Sequence, residues 1–114
     1  MSEQKPIPTH WRQTLREIVG AFVAGDYYRA IPGVEAISAE TATQIHAYIS
    51  DYGATLMALP EETWDSSVCI FSGDRWDALV DLWTQEEGRS DLVLHTKVSD
   101  RPNFSVRVHL VYVP

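Results

Sequence analysis

The hydrophobic pattern of the chain changes its period once, near Ala54, and this change constrains the fold more than any other feature. Before it, apolar residues recur every three or four positions, which is typical of helices that bury one face. After it, apolar and polar residues alternate, which indicates strands. A length of 114 residues fits a single folded unit. We therefore expect helices and strands to share one core.

Two helices are predicted in the first half. The first has Thr9 as its N-cap and ends at Gly25. The second runs from its N-cap, Ser38, to about Tyr52, where Gly53 stops it. The residues expected on the buried faces are Trp11, Leu15, Ile18, Val19, Phe22 and Val23 in the first helix and Ile45, Tyr48, Ile49 and Tyr52 in the second.

The second half predicts short strands, at 55–59, 66–71, 76–83, 91–98 and 104–113. The segment 76–83 also fits a helical face. We favour a strand because the segment leads directly into a turn that is followed by a clearly β-like partner.

The even positions of the last three strands are almost entirely apolar, so this face of the sheet is expected to pack against the helices. We predict an α+β fold in which two N-terminal helices pack on one face of a mainly antiparallel meander of four to five strands. Residues 9–114 form the single domain, and residues 1–8 are a flexible N-terminal segment.

The odd positions of the same strands form an outer face that mixes charged with large apolar side chains. A five-residue turn between the third and fourth strands would set Asp81 opposite His95. Across the next turn, His95 would lie opposite Arg107, or beside His109 if the register slips by two residues. Either register predicts a polar row across the outer face, with Trp83 close to it.

Three interpretations of this row stay open. Asp81, His95 and His109 could bind a metal, although no fixed spacing such as HExxH supports this. An Asp–His pair could act as a general base, although no nucleophile accompanies it. Cross-strand ion pairs on a partly solvated face are the interpretation we favour. The three residues are therefore weak candidates for catalysis, no metal or cofactor is expected, and the sequence favours a protein that is not an enzyme.

The charge of the chain argues against several partners. A formal net charge of −7 and a pI near 4.9 repel phosphate backbones, so no nucleic acid is expected. The longest apolar stretch, 18–24, is far shorter than the ~20 residues of a membrane span, so no membrane is expected. The N-terminus has no signal-like apolar region, and Cys69 is the single cysteine. Both features predict a cytoplasmic protein.

The turn between the third and fourth strands carries more charge than a chain reversal needs, because a single glycine would suffice. We predict that this turn and the outer face bind a protein partner. The predicted partner-binding residues are Trp83, Glu86, Glu87, Arg89, Asp91 and Arg107.

The function predicted from these features is a non-enzymatic protein-binding module, whose partner is another protein or its own copy in a homodimer. An immunity or antitoxin role against a basic toxin would suit the size and charge. The alternative is a small-molecule-binding protein or an enzyme with a pocket between helices and sheet. A polar interior cavity would favour this alternative, and a filled core with an exposed Trp83 would favour the module.

The hairpin sequence DLWTQEEGRSDLVL resembles a family of small bacterial proteins of unknown function, which share DLWT and EEGRSDL after a helical N-terminal half. The stretch YGATLMALPEETW adds to the resemblance, which covers most of the chain. The resemblance implies a shared fold and a bacterial cytosolic origin. It brings no activity and no site residues with it.

Overall fold

A computed structural model describes residues 3–114. These residues form two helices and one five-stranded antiparallel sheet whose strands are neighbours in chain order, so the predicted α+β fold is confirmed. The elements are β1 (Gln4–Pro6), α1 (Thr9–Val23), α2 (Ala39–Tyr52), a 3₁₀ helix (Glu61–Asp65), β2 (Val68–Ser72), β3 (Arg75–Thr84), β4 (Gly88–Ser99) and β5 (Ser105–Tyr112). No helix in residues 3–114 is long and apolar enough to cross a membrane.

Helix α1 buries the stripe that its sequence predicts, and Trp11 and Leu15 are at most 1% exposed. Its ends differ from the prediction. Pro8 is the N-cap and Thr9 is the first helical residue, with no side-chain bond at the cap, because the extended backbone of the proline already sets where the helix begins. Val23, the last helical residue, is 44% exposed. The predictions that Thr9 caps the helix and that Val23 is buried are wrong.

Helix α2 has both predicted caps. The amide of Thr41 donates a hydrogen bond of 3.1 Å to Ser38 Oγ, and Gly53 adopts a φ of 83°, a conformation that glycine reaches without strain. Tyr48 was predicted on the buried face but is 36% exposed. Its hydroxyl instead accepts a hydrogen bond from the amide of Val113.

The ambiguous segment 76–83 belongs to strand β3, so the prediction of a strand is confirmed. The segment 55–59 is not a strand, because only Leu56 forms a bridge, with Thr84. On either side of Leu56, backbone hydrogen bonds of 2.9 Å join Met57 N to Trp83 O and Gln85 N to Thr55 O, and they hold this segment against the end of β3. Pro60 then ends the pairing, since proline has no amide hydrogen to donate.

Part of the segment predicted to be flexible is an edge strand. Gln4–Pro6 pairs with β2, and Ile7 is 1% exposed, which corrects the prediction for residues 1–8 at these positions. Residues 1 and 2 lie outside the described residues. Three residues are too few for alternation to reveal a strand, and Pro6 is tolerated because it lies at an edge.

The core lies between the helices and the even-numbered side chains of β3 and β4, as the alternation predicts. Between β4 and β5 the register shifts by one residue, and this bulge at His109 reverses the alternation beyond it. Val111 is therefore buried, whereas Leu110 and Tyr112, both predicted to face the core, lie on the outer face. The buried residues of the sheet in this core are Cys69, Ala78, Val80, Leu82, Leu92, Leu94, Val98, Val106, Val108 and Val111.

Strand β5 lies at the other edge of the sheet, and neighbouring segments bond to its outward backbone groups. The linker before α2 adds a short parallel bridge, in which Val106 bonds to Gly33 and Glu35 at 2.8 Å each. Further along, Gln44 and Tyr48 of α2 bond to the backbone at the end of β5, at 2.9 and 3.2 Å. Helix α2 is thereby fixed over this end of the sheet.

The one-sided core predicts unequal effects of matched substitutions. Leu94, on the inner face, is fully buried, so Leu94→Ala should lower the free energy of unfolding by about 2 to 5 kcal/mol. Leu79 lies on the outer face and is half-buried, so Leu79→Ala should cost less than about 1.5 kcal/mol. Urea denaturation of both variants measures this difference, and equal losses would contradict a core on one face only.

Candidate functional site

The outer face of the sheet is where the predicted site residues meet. Its side chains come from alternate positions of β3, β4 and β5, and both helices pack on the opposite face. The register defines three rows of side chains across these strands. The first row is Asp77, Lys97 and Arg107, the second is Leu79, His95 and Leu110, and the third is Asp81, Val93 and Tyr112.

The hairpin between β3 and β4 has a shorter tip than predicted. Thr84 pairs with Gly88, which leaves three residues in the tip instead of five. A φ of 75° at Gly88 fits such a loop, because three-residue loops place a left-handed residue at their end. This tip moves the pairing at Trp83 and Thr84 by four residues, and a bulge of two extra residues in β4, between Arg89 and Val93, restores two of them. Asp81 therefore lies opposite Val93. The prediction that Asp81 lies opposite His95 is wrong.

Strand β5 adopts the second of the two registers considered. The ring centroids of His109 and His95 are 4.9 Å apart, and Arg107 lies opposite Lys97. The register that set His95 opposite Arg107 is wrong. The pairing of Lys97 with Arg107 would set His109 directly opposite His95, and the bulge moves His109 by only one residue, beside Leu110. The two imidazoles therefore stay in contact.

Asp77 is the residue at the centre of the polar row, and the sequence analysis did not select it. Lys97 Nζ donates to Asp77 Oδ1 at 2.6 Å, and His95 Nε2 lies 3.0 Å from the same oxygen. Burial opposes ionisation of this carboxyl, but the hydrogen bonds from Lys97 and His95 outweigh it and lower the pKa of Asp77. The alternation pattern could have indicated Asp77, because it occupies an odd position like Asp81 and is therefore expected on the same face of the sheet.

His109 lies in a cationic neighbourhood. Its burial, followed by the charges of His95, Lys97 and Arg107, lowers its pKa below the ordinary value of 6.5, although Asp77 acts in the other direction. His109 is therefore mainly uncharged at neutral pH.

The three candidate catalytic residues are not brought together. His95 and His109 are in contact, but Asp81 accepts a hydrogen bond from Ser66 instead. Within residues 3–114, no group of three or more His, Cys, Asp or Glu side chains is placed to hold a metal ion. The geometry around Asp77 is that of the cross-strand ion pairs favoured from the sequence, with Asp77 in the place expected for Asp81 and Lys97 in the place expected for Arg107.

Glu86 is tied into the fold at the hairpin tip. Thr55 donates to its two carboxylate oxygens, from the amide at 2.8 Å and from Oγ1 at 2.9 Å. These bonds lower the pKa of Glu86. Arg89 and Asp91 are exposed, and no ion pair within 4.0 Å in the described part of the chain includes either of them. The tip thus has one structural carboxylate, Glu86, beside the charged groups of Arg89 and Asp91, which form no ion pair in residues 3–114.

Trp83 is half-buried and packs against the hydrophobic cluster, so it does not form an exposed patch. Its ring lies 3.7 Å from the position that a Cβ of Gly88 would occupy, because the short tip folds this glycine close to the indole. The indole Nε1 is buried and has no hydrogen-bond partner within residues 3–114. The exposed Trp83 that would favour a binding module is therefore not found.

A separate pocket lies between the end of α1 and the linker that leads to α2. Its volume is about 530 Å³. Most of its lining is apolar, and the charged residues Arg29 and Glu35 also contribute. Arg29 is already paired with Asp26 at 3.3 Å. The main apolar walls are Ile18, Phe22, Tyr27, Ile31, Val34 and Ile37.

Comparison with known proteins assigns the chain to a family. A family model described as a domain of unknown function, DUF7668, matches residues 19–114. The chain belongs to the DUF7668 family. The DUF7668 match includes the end of α1, all of α2 and strands β2 to β5, and therefore every residue of the three rows. No curated protein and no solved structure matches the chain. Membership of a family of unknown function, which the hairpin sequence indicated, is confirmed.

The bonds of Glu86 predict a pH-dependent contribution to stability. The folded-state pKa of Glu86 lies below its ordinary value of 4.5, so the carboxylate stabilises the fold above that value and loses this effect as the pH falls through the folded-state pKa. Glu86→Gln should lower the melting temperature near neutral pH, and the deficit should shrink as the pH falls below the ordinary value of 4.5 and through the lower folded-state pKa. Arg89→Gln, a neighbour without an ion pair, is the control. Unchanged melting of Glu86→Gln at neutral pH would contradict a structural role of the carboxylate.

Proposed function

We propose that this chain is a non-enzymatic protein-binding module that holds its partner on the outer face of the sheet. The observation that carries the proposal is the composition of that face, on which apolar and charged side chains share three rows while both helices lie on the other side. Interfaces between proteins that associate reversibly have this mixed composition.

The apolar side chains of the face adjoin one another across the strands. Leu79, Leu110 and Tyr112 are half-buried, and Val93 between them is 8% exposed. Val68 of β2 extends the second row beside Leu79. Contiguous apolar surface of this kind marks interaction sites more often than isolated exposed side chains do.

The charged part of the face is able to pair with a partner. Asp81, Arg89 and Asp91 surround a hollow that also includes Val93. Arg107 lies at the opposite end of the face. In the described part of the chain no ion pair includes any of these four charged residues, so pairing across an interface would break no existing ion pair.

An enzymatic role has less support from the geometry. The carboxylate of Asp77 is occupied by Lys97 and His95. Asp81 lies one row from His95 and two rows from Asp77. A general base needs a substrate site within hydrogen-bond reach of its proton acceptor, and the pocket beside α1 is formed by other elements.

A bacterial, cytoplasmic immunity or antitoxin protein is the narrower form of this proposal. The net charge of −7 supports it, because an acidic chain attracts a basic toxin and speeds their encounter.

The proposal predicts that one outer-face substitution removes partner binding without unfolding the chain. Wild type, Leu79→Lys and the helix control Glu17→Lys would be immobilised and exposed to an extract of the native host. A partner retained by wild type and by the control should be lost by Leu79→Lys. With that partner purified, the substitution should weaken affinity by at least about thirtyfold, as expected for a central interface residue. Equal retention by all three proteins, with melting curves that show them folded, would contradict the proposal.

A second candidate function is the binding of a small apolar molecule in the pocket beside α1. Its volume of 530 Å³ lies in the range of ligand sites, roughly 300 to 1,000 Å³. The pocket lies between α1 and the linker, not between helices and sheet as the sequence-based alternative supposed.

This candidate predicts that filling the pocket abolishes ligand binding. Ala36 is exposed and lines the pocket, so Ala36→Trp should fill it at little cost to the fold. Small aromatic and aliphatic compounds that raise the melting temperature of wild type should have no effect on this variant. Compounds that shift both proteins equally, or no shift with any compound, would contradict a ligand site here.

A further inference from the structure

We infer that the protein held on the outer face is a second copy of this chain, packed face to face about a two-fold axis that runs along β4. The inference rests on the proposed function and names the partner. It comes from the arrangement of charge and apolar groups on either side of β4.

Strand β4 lies between β3 and β5, each about 4.8 Å away. A two-fold axis above β4 and parallel to it therefore lays β3 of one copy over β5 of the other. A two-fold interface uses the same patch twice, so the patch must complement itself across the axis.

The three rows meet this condition one by one. In the first row, Asp77 of one copy faces Arg107 of the other. Lys97 and His95 both contact Oδ1 of this carboxylate, so Oδ2 is the oxygen that would pair with the guanidinium. In the second row, Leu79 faces Leu110, which gives an apolar contact. In the third row, Asp81 of one copy faces Tyr112 of the other, and the phenol can donate a hydrogen bond to the carboxylate.

The residues on the axis itself face their own copies. Val93 gives an apolar contact with itself. Lys97 would repel its copy, but its Nζ lies 2.6 Å from Asp77, which compensates the charge within each chain. His95 is in contact with the same carboxylate at 3.0 Å.

The net charge of the face favours a copy over a basic protein. The chain as a whole carries −7, which would make two copies repel each other. In the three rows, however, the two aspartates, Asp77 and Asp81, are balanced by Lys97 and Arg107, which gives zero. The acidic surplus lies elsewhere on the molecule, so the rows can meet without a repulsive field at their centre.

The size of the face predicts a weak and reversible dimer. Three rows about 6.8 Å apart on the three overlapping strands, about 4.8 Å apart, cover roughly 20 by 14 Å. Two such faces bury on the order of 600 Å², which is below the range of stable specific complexes. A dissociation constant on the order of 100 µM is therefore expected.

Sedimentation of the purified chain between about 5 and 500 µM tests the inference directly. Wild type should convert from monomer to dimer over this range. Arg107→Asp, which places two carboxylates in the first row, and Leu79→Lys should each raise the dissociation constant at least about tenfold. Glu17→Lys on α1 should leave it unchanged. A monomer at every concentration, or a dimer that neither outer-face variant weakens, would overturn the inference.

Thiol crosslinking tests the position of the axis. Sheets that pack face to face lie about 10 Å apart, which is too far for a direct disulfide, so the reagent is a short bismaleimide that spans this gap. In a Cys69→Ala background, a Leu79→Cys protein mixed with a Leu110→Cys protein should form a covalent dimer with this reagent. Neither protein alone should do so to the same yield, because like positions lie two strands apart across the axis, about 14 Å from each other. Equal crosslinking of either protein alone, or no crosslinking of the mixture, would reject an axis along β4.

The inference and the proposed function can fail separately. If the chain stays monomeric while Leu79→Lys loses a different protein from the host extract, the second copy is excluded and the binding face stands. If the chain neither dimerises nor binds any protein through this face, both fail.

Discussion

The apolar even-numbered face of β3 and β4 is the constraint on which the rest of the structure depends. Both helices carry an apolar stripe, and this face is the surface against which they bury it. Because the helices occupy one side, the other side of the sheet keeps its side chains at the surface. The polar and apolar rows of the outer face are therefore a consequence of where the core lies.

Sequence periodicity predicted the faces of the sheet better than it predicted the pairs within them. A register shift of two residues keeps every side chain on its face, so alternation cannot detect it. Two features together decide this shift. Gly88 closes the tip after three residues instead of five, and β4 then carries two extra residues opposite the step from Trp83 to Asp81. For this reason Asp77, and not Asp81, contacts His95, although the two aspartates were equivalent in the sequence.

Other differences have causes that no local pattern reveals. Strand β1 has three residues and depends on pairing with β2, more than 60 positions away in the chain. The bulge at His109 adds one residue to β5 and turns Val111 inward, which a strict alternation cannot express. The hairpin tip carries more charge than a chain reversal needs, but the local sequence does not show that Thr55 holds Glu86 by two hydrogen bonds, because this contact is made through the tertiary fold.

The hydrogen bonds along the outer edge of β5 limit how this sheet can associate. An edge strand with free backbone groups lets further strands add one after another, which leads to open-ended aggregates. Here the linker and two side chains of α2 already bond to much of that edge, and the opposite edge is the short β1 with its proline. Addition of further strands is therefore disfavoured at both edges of the sheet. Association through the outer face, as we propose it, would end with a closed pair and not with a fibre.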